Sequence, residues 1–261
     1  MKVQDFGQYD GPVLLFGGPY SNLHATEAFA ALAGDTPAIC TGDVVAYGAN
    51  PPETLALVRA RAWSVVAGNC ERQIAVGADD CGCGFSADTA CDIFSRGWYP
   101  YAMANVGQND RLWMENLPDI GLFTHQGRRY AVIHGGATAI NRYLWPSSAE
   151  ADFAHEIEAL EAAVGHIDGI VAGHAGIGFH RQIGRHQWIN AGAIGLPPHD
   201  GRSETRFARL EMGEVTIERL RYDRNAAFKA MAEVGLTQGY HHSLKTGIWP
   251  SEDVLPLELR R

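Results

Sequence analysis

No apolar run in this chain approaches the roughly 18 consecutive residues that crossing a bilayer requires. A secretory leader is not expected either: Met1-Lys2-Val3-Gln4-Asp5-Phe6-Gly7 lacks an apolar core and a small-residue cleavage site. Positive charge is in deficit, with 21 Lys and Arg against 30 Asp and Glu and a net charge of −9. That balance argues against bulk nucleic-acid binding and against anionic membranes, while leaving a local basic pocket open. Cysteine is sparse and odd in number, at five, in a chain long enough to bury a core without staples. A reducing cytoplasm is the expected compartment. Repeats, low-complexity blocks and long linkers are missing. So are the G-x-G-x-x-G and Walker A patterns, which leaves Gly17-Gly18 weak as a phosphate-cradling loop.

What is present is an ordinary globular composition, 46% hydrophobic and 20% charged, and it is read as one domain over residues 1–261. Val13 to Phe16, Pro37 to Thr41 and Trp63 to Ala67 are short continuous apolar runs that suit buried strands. Helices are expected between them, from about Asn22 to Ala33 and from about Glu53 to Arg61, the latter led by Pro51-Pro52. Gly121 to His125 and Arg129 to His134 flank Gln126-Gly127-Arg128 as a hairpin, and Glu150 to Val164 reads as a helix. Gly169 to Ala172 is another buried strand. Phe179 to Ile183, Gln187 to Asn190, Thr205 to Glu211 and Val215 to Leu220 read as antiparallel strands, and a helix from Asp223 to Val234 follows. The mixture predicts an α/β fold, two face-to-face sheets with helices outside, a four-layer α-β-β-α sandwich.

Four of these apolar runs break into a residue able to ligate a metal: Asp43, Asn69, His134 and His174, each beside a glycine. Oxygen and imidazole donors of this kind suit one divalent cation among Mn, Fe, Co, Ni and Zn. Their position just past strands is where α/β sheets put their ligand crevices. Taken singly, each residue has a plain alternative as a turn, a helix cap or a buried histidine. Their joint occurrence points to a metal.

The order of these segments resembles the calcineurin-like metallophosphoesterase superfamily, in particular its small bacterial phosphodiesterase-like branch. Gly42-Asp43 through Asn50-Pro51, Val66-Ala67-Gly68-Asn69-Cys70-Glu71 and Val132-Ile133-His134-Gly135 are similar to its second, third and fourth segments. Gly173-His174-Ala175-Gly176 is similar to the fifth, and Asn190 to Pro197 and Tyr240 to Pro250 match later stretches. The resemblance implies phosphoester hydrolysis, of a phosphodiester or phosphomonoester, at a pair of metals sharing one carboxylate. It also implies which positions hold each metal. One set falls on Asp43, Asn69, His134 and His174, all present. The other falls on Gly18, Tyr20, Asp43 and Gly176, where three ligands have been lost. The losses sort onto one site, so a degenerate centre with a single retained metal is expected.

Around that centre three residues are candidates for chemistry. Tyr20 replaces a metal-binding histidine, and its phenol either donates a hydrogen bond to a phosphoryl oxygen or simply packs in the space. Cys70 stands where much of the family has a proton-donating histidine, and a thiol is a poorer acid at neutral pH. Glu71 is a substitute acid, with His24 and His180 behind it. His199 and Asp200 are expected near the mouth of the site. Cys70, Cys81, Cys83 and Cys91 fall in one stretch, the last three within a Cys/Gly-rich insertion at about 77–92. Their readings are free thiols, a redox disulfide, or a second, Cys-bound metal. The expected partner is a small phosphorylated substrate or ligand. The alternative to an enzyme is a catalytically impaired relative that binds a phosphate-containing ligand or a protein.

Overall fold

The computed structural model describes residues 1–84 and 90–261, apart from the side chains of residues 90–92. Its strands are β1 (Val3–Tyr9), β2 (Val13–Phe16), β3 (Ala38–Cys40), β4 (Ser64–Val65), β5 (Ile120–His125) and β6 (Arg128–Val132), then β7 (Gly169–Ala172), β8 (Phe179–Ile183), β9 (His186–Asn190), β10 (Thr205–Glu211) and β11 (Glu214–Leu220). The helices are α1 (Leu23–Ala33), α2 (Pro51–Ala60), α3 (Asn69–Val76), α4 (Ala90–Asn105), α5 (Gln108–Asn116), α6 (Glu150–Val164), α7 (Arg224–Glu233) and α8 (Tyr240–Thr246). One sheet runs β1-β5-β6-β7-β9-β8 and the other β11-β10-β2-β3-β4.

Strand β2 shows why the chain forms four layers. Its residues Val-Leu-Leu-Phe are all buried, and alternate side chains enter different cores. Val13 and Leu15 meet Ile39, Val132, Val171, Ile189 and Leu210 between the two sheets. Leu14 and Phe16 point outward into the helical layer. There Phe16 packs on Phe29 of α1 at 4.4 Å and on Trp63 at 5.1 Å between ring centroids. Truncating Phe29 to Ala would cost about 3–5 kcal/mol by loss of that packing. On the opposite side Phe153, Ile157 and Leu160 of α6 cover Ile170 and Trp188 of the six-stranded sheet. The expected α-β-β-α sandwich is therefore the fold.

Helix α1 begins where the Asn22 side chain accepts a hydrogen bond from the Ala25 amide at 3.1 Å. The same side chain donates to the Gly195 carbonyl at 2.9 Å, tying the cap to a distant loop. Gln126 and Gly127, both at positive φ, close the β5–β6 hairpin. Strand β1 has no counterpart in the sequence reading. Its residues are mostly exposed, so no burial pattern marks them, and it is held at the sheet edge by parallel pairing with β5. Helices α3, α4, α5 and α8 were also not legible as periodic runs. Residues 81–84 of the Cys/Gly-rich stretch form a loop after α3, and residues 85–89 and the Cys91 side chain lie outside the described residues. Among the described residues no helix is long and apolar enough to cross a membrane.

Strands β2, β3 and β4 are mutually parallel, as are β6 and β7. Their carboxyl ends deliver Tyr20, Asp43, Asn69, His134 and His174 to one edge of the sandwich.

Candidate metal centre

Close approach of loops builds the centre. Gly42, at φ +95°, lies so near Gly68 that a Cβ there would be 2.5 Å from the Gly68 amide nitrogen. A Cβ on Gly68 would fall on the Asp43 carboxylate. Both glycines are demanded by backbone contact, not only by turning. Asp43 and His174 themselves sit in the left-handed region, at φ 55° and 58°. For residues with a Cβ this conformation costs about 1–2 kcal/mol, and the surrounding contacts hold it in place.

One carboxylate supplies much of that hold. Glu71 in the first turn of α3 is fully buried and accepts four backbone N–H groups. Gly68 and Asp43 donate to Oε2 at 2.8 and 2.7 Å, and Val44 and Val45 to Oε1 at 2.8 and 3.3 Å. Burial first, and the Asp43 charge second, push its pKa up to about 7. Its oxygens are fully engaged, so the geometry makes Glu71 a clamp on the Asp43 loop and leaves it no free atom with which to protonate a substrate.

Four lone-pair atoms converge beside this clamp. His134 Nε2 lies 3.0 Å from Asn69 Oδ1, 3.0 Å from His174 Nδ1 and 3.3 Å from Asp43 Oδ2. The other nitrogen of His134 donates to the Thr41 carbonyl at 2.6 Å, which turns Nε2 toward the group. Asn69 is oriented in the same way: its Nδ2 donates to the Cys81 carbonyl at 2.7 Å, which turns Oδ1 inward. Two oxygen acceptors and two imidazole nitrogens thus face one point, and a single imidazole proton satisfies only part of them. Atoms of Asp43, His134 and His174 able to ligate a cation all lie within 4.8 Å of one another. Their chemistry fits one divalent metal of the nitrogen- and oxygen-binding kind.

Electrostatics without a cation follow from the same contacts. Burial opposes the Asp43 charge, but the His134 charge, its hydrogen bond and His174 outweigh it and hold the carboxyl below its usual range. Burial likewise opposes charge on His134, and Asp43 overrides it, so the His134 pKa is raised. His174 is pushed down to about 3 by burial and by the neighbouring His134 charge. Its Nε2 is buried without a hydrogen-bond partner.

Tyr20 fills the space on the other side. It adopts φ 52° and Ser21 φ 54°, and the pair is pinned by backbone bonds from Tyr20 N to Asp43 O and from Ser21 N to Val44 O. The phenol ring lies over Gly18, where a Cβ would collide with it, and its hydroxyl is 3.7 Å from the Cβ position of Gly176. The ring thus occupies the region between Gly18 and Gly176, two of the positions that the family resemblance connects with the other metal. It packs edge-on against Tyr47, centroids 4.8 Å apart. Burial and the Asp43 charge hold its pKa above the usual phenol value.

Tyr20, Tyr47, Tyr143, Tyr240 and Trp249 line a narrow cleft of about 40 Å³ that reaches His174. Tyr47, Tyr240 and Trp249 lie within stretches that carry the family resemblance but have no role assigned by it, and Tyr143 carries no spacing signal. Trp249 is held there by the tail: its indole donates to the Pro197 carbonyl at 2.6 Å, and its backbone amide to His199 Nδ1 at 2.8 Å. His199 Nε2 in turn meets Glu252 at 2.7 Å, so His199 positions Trp249. Asp200 pairs with Arg206. Neither residue lines the cleft. His24 is half-buried on α1 and His180 exposed on β8, and neither lines it either. Cys70 is buried, its amide donating to Asp43 Oδ1 at 3.2 Å. A hydrogen bond from Cys83 favours its thiolate, but burial and the Asp43 charge outweigh it and raise the thiol pKa.

Known proteins share this architecture. The calcineurin-like phosphoesterase family profile matches residues 19–204, well over half of the chain. A metallophosphoesterase from Sphaerobacter thermophilus is 21% identical and superposes with a TM-score of 0.72, covering 92% of this chain and 100% of its own. A hypothetical protein from Pyrococcus horikoshii OT3, 14% identical, superposes with a TM-score of 0.75 over 90% of this chain and 98% of its own. A search of curated proteins found no match. The profile match across most of the chain places it in the calcineurin-like phosphoesterase family.

Proposed function

We propose that this chain hydrolyses a small phosphorylated substrate with the aid of a single divalent cation held by Asp43, Asn69, His134 and His174. The observation that carries this reading is the convergence of four lone-pair atoms on one point, with the Tyr20 ring filling the region opposite. Such a cation supplies Lewis acidity toward a phosphoryl oxygen and toward water. The chain's own groups do the rest. Glu71 and the Thr41 carbonyl fix the ligand directions, and the aromatic walls keep bulk water from the centre. Tyr20 lines the cleft, and its hydroxyl is the candidate donor to a phosphoryl oxygen. The four described cysteines are free thiols, which fits a reducing cytoplasm.

A second reading is favoured by the cleft lining, which holds no Lys or Arg among the described residues to neutralise a phosphate. On that reading the chain is a non-catalytic relative, and the uncharged aromatic lining favours a protein partner over the phosphate-containing ligand also expected of it. Elemental analysis and turnover assays separate the two. The enzyme reading expects about one transition metal per chain, its loss in Asp43→Ala, and hydrolysis of generic phosphodiester or phosphomonoester substrates with Mn or Ni. A metal-loaded protein without turnover on either class sinks it.

A further inference from the structure

Three of the four described cysteines cluster outside this scheme. Cys70 lies in the first turn of α3, and Cys81 and Cys83 lie in the loop that follows that helix. Gly82 and Gly84, at φ +67° and +74°, fold the loop back on the helix, and Asn141 Nδ2 anchors it at the Gly82 carbonyl at 3.0 Å. The fold-back brings the three thiols together. Cys81 Sγ is 2.9 Å from Cys83 Sγ, and the sulfurs of Cys83 and Cys70 share a neighbour in Asn69 Nδ2. All three side chains are buried.

The cluster shares a wall with the metal centre. The Asn69 amide whose Oδ1 faces His134 directs Nδ2 toward Cys83 Sγ at 3.3 Å and toward Cys70 Sγ at 3.6 Å. The Asp43 carboxylate acts on all three thiols, and that of Glu71 on Cys70 as well. A core that needs only volume is served by alanine or valine. Three sulfurs gathered around one amide, in a field of negative sign, instead make a seat for a thiophilic cation that draws them to a common point on binding.

We propose that Cys70, Cys81 and Cys83 form a second metal site, an all-sulfur pocket for one thiophilic d10 ion such as Zn(II), separated from the Asp43 centre by the Asn69 side chain. On binding, each thiol releases its proton to solvent and its sulfur becomes a ligand. The ion fixes the loop at 81–84, and through it the carbonyl that orients Asn69. Emptying the pocket then weakens metal binding at the Asp43 centre by about 10–100-fold, the usual effect of removing a group that orients a ligand.

Cadmium is the probe, because cadmium–thiolate bonds absorb in the ultraviolet and cadmium–imidazole or carboxylate bonds do not. Reduced protein titrated with Cd(II) should develop this absorption to about one equivalent, and excess Zn(II) should weaken the apparent Cd(II) affinity by competition. The band should persist in Asp43→Asn, where the oxygen–nitrogen centre is impaired, and disappear in both Cys83→Ser and Cys81→Ser. Circular dichroism of each serine variant checks that it is folded. Absence of the band in reduced wild-type protein overturns the proposal, as does a band that survives in both folded serine variants. If the unreduced, denatured protein shows two thiols too few, with restoration in Cys81→Ser, the pair is a disulfide and the metal site is refuted. Loss of the band in Asp43→Asn alone would mean a single shared site and would also refute it.

Discussion

Replacing Glu71 by Gln separates a clamp from a catalytic acid. The four amides that converge on its carboxylate are divided two to each oxygen, and a glutamine keeps only one acceptor oxygen. Its NH2 group must therefore face two N–H donors. The less costly orientation gives up Val44 and Val45, since the latter bond is already long at 3.3 Å. Stranding a buried donor costs about 1–3 kcal/mol, so two of them, one weakly bonded, cost about 2–4 kcal/mol. Against a domain stability of about 5–15 kcal/mol that is a large fraction. Equilibrium urea unfolding of metal-free protein should show the midpoint falling with the slope unchanged. The melting temperature should drop by about 10 °C. Because the released loop carries Asp43, metal affinity should fall with it. A Gln variant that unfolds like the wild type and binds metal normally, yet has lost turnover, would show that Glu71 is the acid and that the clamp argument is wrong.

Other perturbations follow from the same geometry. The folded His134 pKa is raised above 6.5, so its contribution to metal-free stability is complete below that pH and fades as pH rises through the folded value. Asp43 is lowered below 3.8, so its contribution is present above that pH and fades on acidification through its folded value. His174, lowered to about 3, costs stability as pH falls below 6.5, and Glu71, raised to about 7, loses its contribution as pH rises above 4.5. The two oppose each other in between, so urea midpoints of metal-free protein should be highest between about 4.5 and 6.5. Added metal should stabilise most at higher pH, where it meets no proton on His134; a flat profile would refute the pairing. Gly18→Ala should destabilise by more than the about 1–2 kcal/mol of left-handed backbone strain, because its methyl meets the Tyr20 ring. Combining it with Tyr20→Ala should recover the excess, and purely additive unfolding energies would mean that the ring does not occupy that space. Trp249→Ala should raise the KM of any substrate more than it lowers kcat, and an unchanged KM would remove the cleft from the binding path.

Glu71 illustrates why parts of the site escape a linear reading. Beside Asn69 and Cys70 it has the composition of a spare acid, and only the folded backbone reveals four amides around it. Tyr20 was legible as a substitution at a metal position, whereas its packing over Gly18 depends on two consecutive left-handed residues that no local propensity predicts. The tail residue Trp249 reaches the cleft through a histidine fifty residues away, His199, a relation set by tertiary contact. Strand β1 and helix α3 were missed for opposite reasons. The first is exposed at an edge, and the second is a short helix of eight residues whose start is a glycine demanded by a neighbouring loop.

The sequence alone determined the layering and the candidate ligands. Continuous apolar strands must be covered on both faces, and each ligand residue follows directly from one of those runs, as Asp43 follows β3 and His174 follows β7. Only the tertiary structure decided which atoms face one another. Directions of lone pairs, the packing of the Tyr20 phenol over Gly18, and the approach of Cys81 and Cys83 to Asn69 and Cys70 depend on loop backbones packed at van der Waals distance. Such packing is a property of the assembled core, set by contacts among segments far apart in the chain.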